Sequence, residues 1–374
     1  MLEVKKICII GAGNIGVAVA VDLVSHNDIS VVLLSSHLNP GIETFKYIDS
    51  TTNEIIIGNN VFVTSDYKEA LEDCDLLIIT VPSFLIKDVM HRVSLYEPKI
   101  ILFMPGYGGK EFFCNELIRK GCIIGGFERV SHIARLNDSR TVKASKKSEL
   151  NLACLDNNKT KDICRLVENL FKIKCNALKN YLTVTLTPSN PVLHTARLYS
   201  MFKDINFETP LPRQIEFYSE WNDFSSEILF QMDSELQNIC KIFNKLDLTG
   251  VVSLPIHYDS ETIQQLTKKI TSIQSFKGIL SPLVKKEELF YLDKNSRYFK
   301  EDFMYGLCNL KGFAIIANVK TPMMDKVLQW YEKISGEEFW DNKGDFSGES
   351  IKNTGVPQIF GIKTREDLYN YYGN

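Results

Sequence analysis

No stretch of this chain approaches the ~20 consecutive apolar residues that a membrane-crossing helix needs, so no membrane association is expected. A surplus of positive charge is missing too. The 43 Lys and Arg stand against 46 Asp and Glu, which removes any electrostatic case for nucleic-acid binding. The nine cysteines contain no CxxC pair and no zinc-ligand spacing. An odd, scattered set of this kind reads as reduced thiols in a cytoplasmic protein with no structural or catalytic metal. Internal repeats and low-complexity linkers are absent, and the lead MLEVKKICIIGAG passes straight into a strand, unlike a signal peptide. What remains is ordinary globular composition, 44% hydrophobic and 24% charged, over 374 residues. That length suffices for about two domains.

The first half carries the clearest motif. KKICIIGAGNIGVAVAVDLV is an apolar β run that ends in Gly11-Ala12-Gly13-Asn14-Ile15-Gly16 and opens an Ala/Val-rich helix. In this GxGxxG context Gly11 permits the tight turn, Gly13 lets the backbone approach a pyrophosphate, and Gly16 lets helix and strand pack closely. The helix N-terminus then offers its free N–H groups to phosphates. A second strand, SVVLLSS, follows at the spacing of a dinucleotide-binding βαβ unit. An acidic residue at its end would hold the ribose 2′-OH of NAD, but Ser35, Ser36 and His37 stand there. Hydroxyls can donate to a 2′-phosphate, and no carboxylate repels it. No arginine is evident in this stretch, so the cofactor is NADP or NAD, with the pattern favouring NADP. His37 itself reads as a surface loop residue before a phosphate ligand.

Two further buried strands continue the alternation. One ends in Thr80-Val81-Pro82-Ser83 and the other in Pro105-Gly106-Tyr107-Gly108-Gly109, and such carboxyl-edge loops face ligands in open α/β sheets. Plain turns would explain Gly108 and Gly109 equally well. In GCIIGGFERVSHIARL, Arg129 and Arg135 could each hold a substrate carboxylate or simply form a surface salt bridge. The segments LNLACLD and YLTVTLT read as short strands around one helix that complete a Rossmann domain over residues 1–186.

After Thr187 the periodicity changes to helical, and residues 187–374 are expected to form an all-helical domain. From Glu216 to Leu246 apolar residues recur at i, i+3/i+4, including Phe217, Trp221, Phe224 and Ile228, which predicts one long helix with a core-facing stripe. DSETIQQLTKKI, EDFMYGLCNLKGFAIIANV and PMMDKVLQWYEKI predict further helices. The last of these starts with Thr321 as cap and Pro322 at the first helical position. DNKGDFSGESIKNTGV is polar and glycine-rich and reads as a mobile surface loop or lid. An α/β dinucleotide-binding half followed by a helical half suits dehydrogenases whose substrate lies between the two.

Taken with these pieces, GAGNIG, PGYGG, SNPVLHTA, QMDSELQNICKIF, SRYFKEDFMYGL and VKTPMMDKVLQW make the whole chain resemble the opine dehydrogenases (the octopine/nopaline dehydrogenase group). That family shares its architecture with glycerol-3-phosphate dehydrogenase and ketopantoate reductase. The resemblance implies an oxidoreductase that joins an α-keto acid to the amino group of an amino acid. NAD(P)H then reduces the imine to a secondary amine. It also implies a catalytic pair, carried over as His194 and Asp325. A carboxylate partner fixes a histidine tautomer and stabilises the protonated ring, which can then give or take a proton near neutral pH.

Around this pair the alternatives stay open. Asn190 caps the His194 helix or bonds the substrate. Arg297 pairs with Glu301 or Asp302, or meets a substrate carboxylate. His26, His91, His132 and His257 lie in no motif. A simple NAD(P)-dependent carbonyl reductase of the same architecture is the rival reading, although its relatives place a lysine on the helix that carries His194, and none lies between Pro188 and Met201. A dinucleotide sensor without turnover is a third. A monomer or a homodimer would suit any of them.

Overall fold

The computed structural model describes residues 3–187 and 189–373, Ser189 by its backbone only. The chain divides into two compact units, Met1–Thr185 with Asn370–Asn374, and Leu186–Tyr369. The return of the last turn to the first unit lies outside the sequence expectation.

The first unit is built on one mixed sheet, eleven-stranded among the described residues. In chain order its strands are β1 (Lys6–Ile10), β2 (Ser30–Leu34), β3 (Gly41–Asp49), β4 (Ile55–Thr64), β5 (Leu76–Ile79), β6 (Ile100–Phe103), β7 (Ile123–Phe127), β8 (His132–Leu136), β9 (Thr141–Lys146), β10 (Glu149–Cys154) and β11 (Lys174–Ala177). Across the sheet the order is β11-β10-β7-β6-β5-β1-β2-β4-β3-β9-β8. The central run β4-β2-β1-β5-β6-β7 is parallel throughout and reproduces the 3-2-1-4-5-6 order of dinucleotide-binding sheets. Strands buried on both faces need no polar alternation, which is why CIIG, LLII and IILF are unbroken apolar runs. The Ala/Val-rich helix Asn14–His26 covers one face, with Val17, Val19, Val21 and Leu23 fully buried. Each such side chain contributes about 1.5–3 kcal/mol by leaving water.

YLTVTL is not a strand. It forms the helix Tyr181–Leu186, despite its alternating β-branched residues. Asn180 Oδ1 accepts from the Thr183 N–H at 3.2 Å and starts the turn, and Tyr181 to Leu186 are buried without exception, so no half-exposed face exists for the alternation to encode.

The second unit is predominantly helical, with one two-stranded antiparallel hairpin, Leu283–Lys286 with Leu289–Leu292. Its principal helices are Ser189–Phe202, Asp223–Ile242, Ile263–Ser272, Cys308–Ala317 and Pro322–Ser335. The long helix starts at Asp223, seven residues after the expected Glu216, because Asn222 caps it by accepting from the Ser225 N–H. Phe217 to Trp221 form a turn ahead of it. Thr321 does not cap the helix at Pro322. Glu235 does so from the neighbouring helix, its two carboxylate oxygens accepting from the N–H groups of Met323 and Met324 at 2.7 and 2.9 Å. The loop after Trp340 is organised by Asp341, which accepts from the N–H groups of Lys343 and Asp345 and from the Ser347 hydroxyl. No described helix is long and apolar enough to cross a membrane.

Candidate active site

In the first unit the carboxyl edges of β1, β2 and β5 open onto a cavity of about 650 Å³. Gly11, Gly13, Ser35, Ser36, Val81 and Pro82 line it, as expected of nucleotide-binding residues, and His37 lines it with them. Gly11 holds φ +109°, a conformation few other residues adopt. A side chain at Gly16 would put its Cβ 1.7 Å from the Gly11 carbonyl oxygen, so only glycine lets the helix begin there. Gly13 has open space where its Cβ would be, and no side chain caps the helix Asn14–His26. The turn therefore presents uncapped N–H groups to an open volume, and the residues present fit a dinucleotide pyrophosphate.

Three of the expected cofactor residues do other work with their side chains. Asn14 Oδ1 accepts from the Leu136 N–H at 2.8 Å and ties the helix start to the end of β8. Ile15 packs against the core, and Ser83 is fully buried. One residue was illegible in the β2 loop. Arg92, from the helix Ile86–Val93, lines the same cavity, its guanidinium 5.2 Å from the centre of the Tyr67 ring. The β2 segment holds no arginine, but this one reaches the same cavity from a later helix.

Arg135 lies exposed on β8 and donates to its neighbour's carbonyl, that of Ala134, at 2.9 Å. Arg129 pairs loosely with Glu128 at 3.9 Å.

The second unit carries His194. The residue sits in the helix Ser189–Phe202, buried, with both ring nitrogens bonded. Nδ1 lies 2.7 Å from Asp302 Oδ2, and Nε2 lies 2.8 Å from the Tyr218 hydroxyl. The Tyr298 ring is 4.6 Å away and the Phe217 ring stands edge-on at 5.5 Å. A carboxylate on Nδ1 keeps the proton on that nitrogen, so in the neutral ring Nε2 accepts from the tyrosine.

The expected partner, Asp325, is not the one found. Its carboxylate bonds Lys311 Nζ at 2.6 Å and the Thr321 hydroxyl at 3.1 Å, at the start of the helix Pro322–Ser335. An aspartate in a first helical turn is a common electrostatic fit, and here it balances a buried lysine. Asp302 instead belongs to a π-helical segment, Asp302–Leu307, set between the short helix Arg297–Lys300 and the helix Cys308–Ala317. Such wide turns recur at functional sites because they re-aim a side chain. The segment approaches the His194 helix closely at Gly306, where a Cβ would come within 2.6 Å of Pro191.

Arg297 begins the turn before Asp302, half-exposed and 3.9 Å from Glu301, as the structural reading expected. Asn190 lies one turn before His194 on the same helix, half-buried. Tyr218 lies outside every motif. It is held by the buried Arg197, whose guanidinium donates to the carbonyls of Phe217 and Glu220 at 2.8 and 2.7 Å on either side of it. Among the described residues no cluster of three or more His, Cys, Asp or Glu side chains could hold a metal ion.

A dinucleotide-binding unit joined to a helical unit that carries an aspartate-held histidine defines an NAD(P)-dependent dehydrogenase. Residues 6–134 match the NAD-dependent glycerol-3-phosphate dehydrogenase N-terminus, and residues 177–335 match the NAD/NADP octopine/nopaline dehydrogenase alpha-helical domain. Together the two matches support the opine dehydrogenase family for this chain, as an NAD(P)-dependent oxidoreductase acting on CH–NH groups.

It is 27% identical to the opine dehydrogenase of Haliotis discus hannai, over 82% of this chain and 81% of that one. In fold it is similar to octopine dehydrogenase bound to NADH and L-arginine, with a TM-score of 0.84, 22% identity and 97% of each chain covered. The NADH and pyruvate complex of octopine dehydrogenase gives 0.83, with the same identity and coverage. Yersinopine dehydrogenase bound to NADP+ gives 0.72 at 14% identity, over 98% of this chain and 100% of that one.

Proposed function

We propose that this protein condenses an α-keto acid with the amino group of an amino acid and reduces the resulting imine with NAD(P)H, His194 and Asp302 handling the proton. The observation that carries the reading is the Asp302–His194 bond in a helical unit of the octopine dehydrogenase type. The relatives support the substrate classes, since octopine dehydrogenase has been seen with L-arginine and with pyruvate.

A bound nicotinamide would supply the hydride; every proton is the protein's to move. Asp302 holds the Nδ1 proton in place and stabilises the ring when Nε2 also carries one. That second proton is the one needed to expel the hydroxyl of the carbinolamine as water. In the oxidative direction the neutral ring takes it back. Arg297, half-exposed at the start of the turn that brings Asp302 to His194, is assigned to the keto-acid carboxylate, for which a guanidinium fork is suited. Asn190 is assigned to the amino-acid substrate, one turn ahead of His194.

NADP is favoured over NAD. Arg92 supports this by adding a fixed positive charge to the hydroxyls of Ser35 and Ser36 in one cavity. A cytoplasmic setting fits nine free cysteines.

The test is nicotinamide absorbance with keto acids alone, amino acids alone, and both together. Oxidation of NAD(P)H only in the presence of both establishes condensation. Oxidation with a carbonyl compound alone makes the protein a simple reductase. For the cofactor, Arg92→Ala is expected to raise the KM for NADPH by about tenfold or more, one charge-assisted contact being worth about 1.5–3 kcal/mol. The KM for NADH should stay within about twofold. Equal effects on both would remove the 2′-phosphate assignment.

A further inference from the structure

We propose that Tyr218 is a catalytic residue, the last member of an Asp302–His194–Tyr218 proton relay, and that its hydroxyl is the group that meets the reacting oxygen. The inference rests on the reading of this site as one that condenses and reduces.

Three observations carry it. First, the nitrogen of His194 that is free of Asp302 is not open. Nε2 is bonded to the Tyr218 hydroxyl at 2.8 Å, so a proton on that nitrogen passes through the tyrosine oxygen or waits for the tyrosine to leave. Second, the tyrosine is clamped. Its ring stacks on Phe276 at 4.1 Å and 19° and meets Phe217 edge-on at 4.8 Å and 78°. Its backbone is bracketed by the two carbonyls that the buried Arg197 holds, and the Trp221 N–H donates to its own carbonyl at 3.1 Å. A swing away from His194 would break the stack and strain a fixed turn, which favours transfer through the hydroxyl over displacement. Third, the rings of Tyr298 and Phe217 flank the imidazole, and among the described residues Asp302 and Tyr218 are the polar groups bonded to its nitrogens.

Attack of the amino nitrogen on the keto carbon gives a carbinolamine. Its C–O bond breaks, the oxygen takes the Tyr218 proton and leaves as water, and the nitrogen lone pair closes the C=N bond. Nε2–H of His194 restores the tyrosine hydroxyl, leaving a neutral ring whose Nδ1 proton still faces Asp302. The C=N carbon then takes the hydride, and the π pair returns to nitrogen. One proton is consumed, as the overall reduction requires. Run in reverse, Tyr218 accepts a proton from the attacking water and passes it to Nε2.

The full-length protein with Tyr218→Phe tests this, because the phenyl ring keeps the stack and loses only the hydroxyl. Turnover of keto acid plus amino acid is expected to fall by ~10²-fold, the usual scale for acid–base catalysis, with NADPH binding by fluorescence titration unchanged. A preformed cyclic imino acid needs no hydroxyl expelled, so its reduction should stay within about threefold of the unmodified protein. That contrast is one a merely structural tyrosine cannot produce. Undiminished condensation in the variant would show that Tyr218 only covers Nε2 and would overturn the relay. Equal loss on both substrates would overturn it as well, making the residue a packing element.

A second measurement needs no variant. Single-turnover condensation rates in mixtures of light and heavy water should bow downward, since two protons move together, and a straight line would also sink the proposal. If the unmodified protein turns over none of the combined substrates, the reading of the site fails instead, and the two failures are told apart by that control.

Discussion

Two aspartates compete for the role beside His194, and separate substitutions divide them. Asp302→Asn keeps an amide oxygen that can accept from Nδ1 but removes the negative charge facing the protonated ring, so turnover should fall by ~10²-fold or more while the melting temperature changes little. Asp325→Asn leaves the ammonium of Lys311, 2.6 Å away and mostly buried, without its counter-charge. The expected result is a stability loss of about 1–3 kcal/mol with turnover per folded molecule preserved. Abolished turnover at an unchanged melting temperature would return Asp325 to the chemistry.

A third carboxylate has a pH signature. Burial pushes Asp233 up from 3.8 to about 6, against the single Leu254 N–H it accepts. A raised carboxyl favours the protonated native state, so this contribution is complete below about pH 4 and is lost as pH rises through about 6. Asp233→Asn keeps the acceptor and removes the ionisation. It should raise the melting temperature at about pH 8 and leave it unchanged at about pH 4, the difference being on the order of 2–3 kcal/mol. Equal stabilisation at both pH values would show that charge is not the cause.

Among the elements, the π-helical turn does most to assemble the site, and it is the part least readable from sequence. EDFMYGLCNLKGF has the apolar density of an ordinary buried helix, and nothing in its spacing marks a wider turn or says that Asp302 meets a histidine 108 residues away. The glycine motif was legible because its constraint is local: each glycine answers to a turn or a contact within a few residues. Tyr218 was hidden for the opposite reason. Phe217, Trp221 and Phe224 continue the helical period of the residues after them, but Asn222 caps the helix and folds the preceding aromatics into the turn that Arg197 holds. Arg92 was missed because an arginine was sought directly after β2, whereas the fold brings one to the same cavity from a later helix.

The π turn makes its own prediction. A methyl at Gly306 would come within 2.6 Å of Pro191, which lies one turn before His194. Gly306→Ala should therefore push the turn that carries Asp302 off the His194 helix and cut turnover by roughly tenfold or more, at a cost of about 1–3 kcal/mol in stability. NADPH affinity should be retained, because the nucleotide residues lie in the first unit. Unchanged turnover would mean that the two elements do not need that close approach.

At the scale of the whole molecule, the chain starts and finishes in the same unit. Glu111, fully buried, accepts from the Thr185 hydroxyl at 2.6 Å and from the Tyr372 hydroxyl at 2.7 Å, and burial holds its carboxyl above the usual range. Tyr371 donates to the Glu111 carbonyl, and its ring lies against Phe112. Tyr372→Phe should lower stability by about 1–3 kcal/mol, through a buried acceptor left short of a donor, as read by chemical denaturation. The loss should grow as pH rises, because the ionised carboxylate depends most on its donors. A loss independent of pH would point to packing alone. The helical unit is thus an insertion, entered at residue 186 and left at 369. Chimeras made to move substrate preference between relatives consequently need two junctions rather than one. A single crossover near residue 186 would give the nucleotide-binding half a foreign final turn and set a stranger's side chains against Glu111.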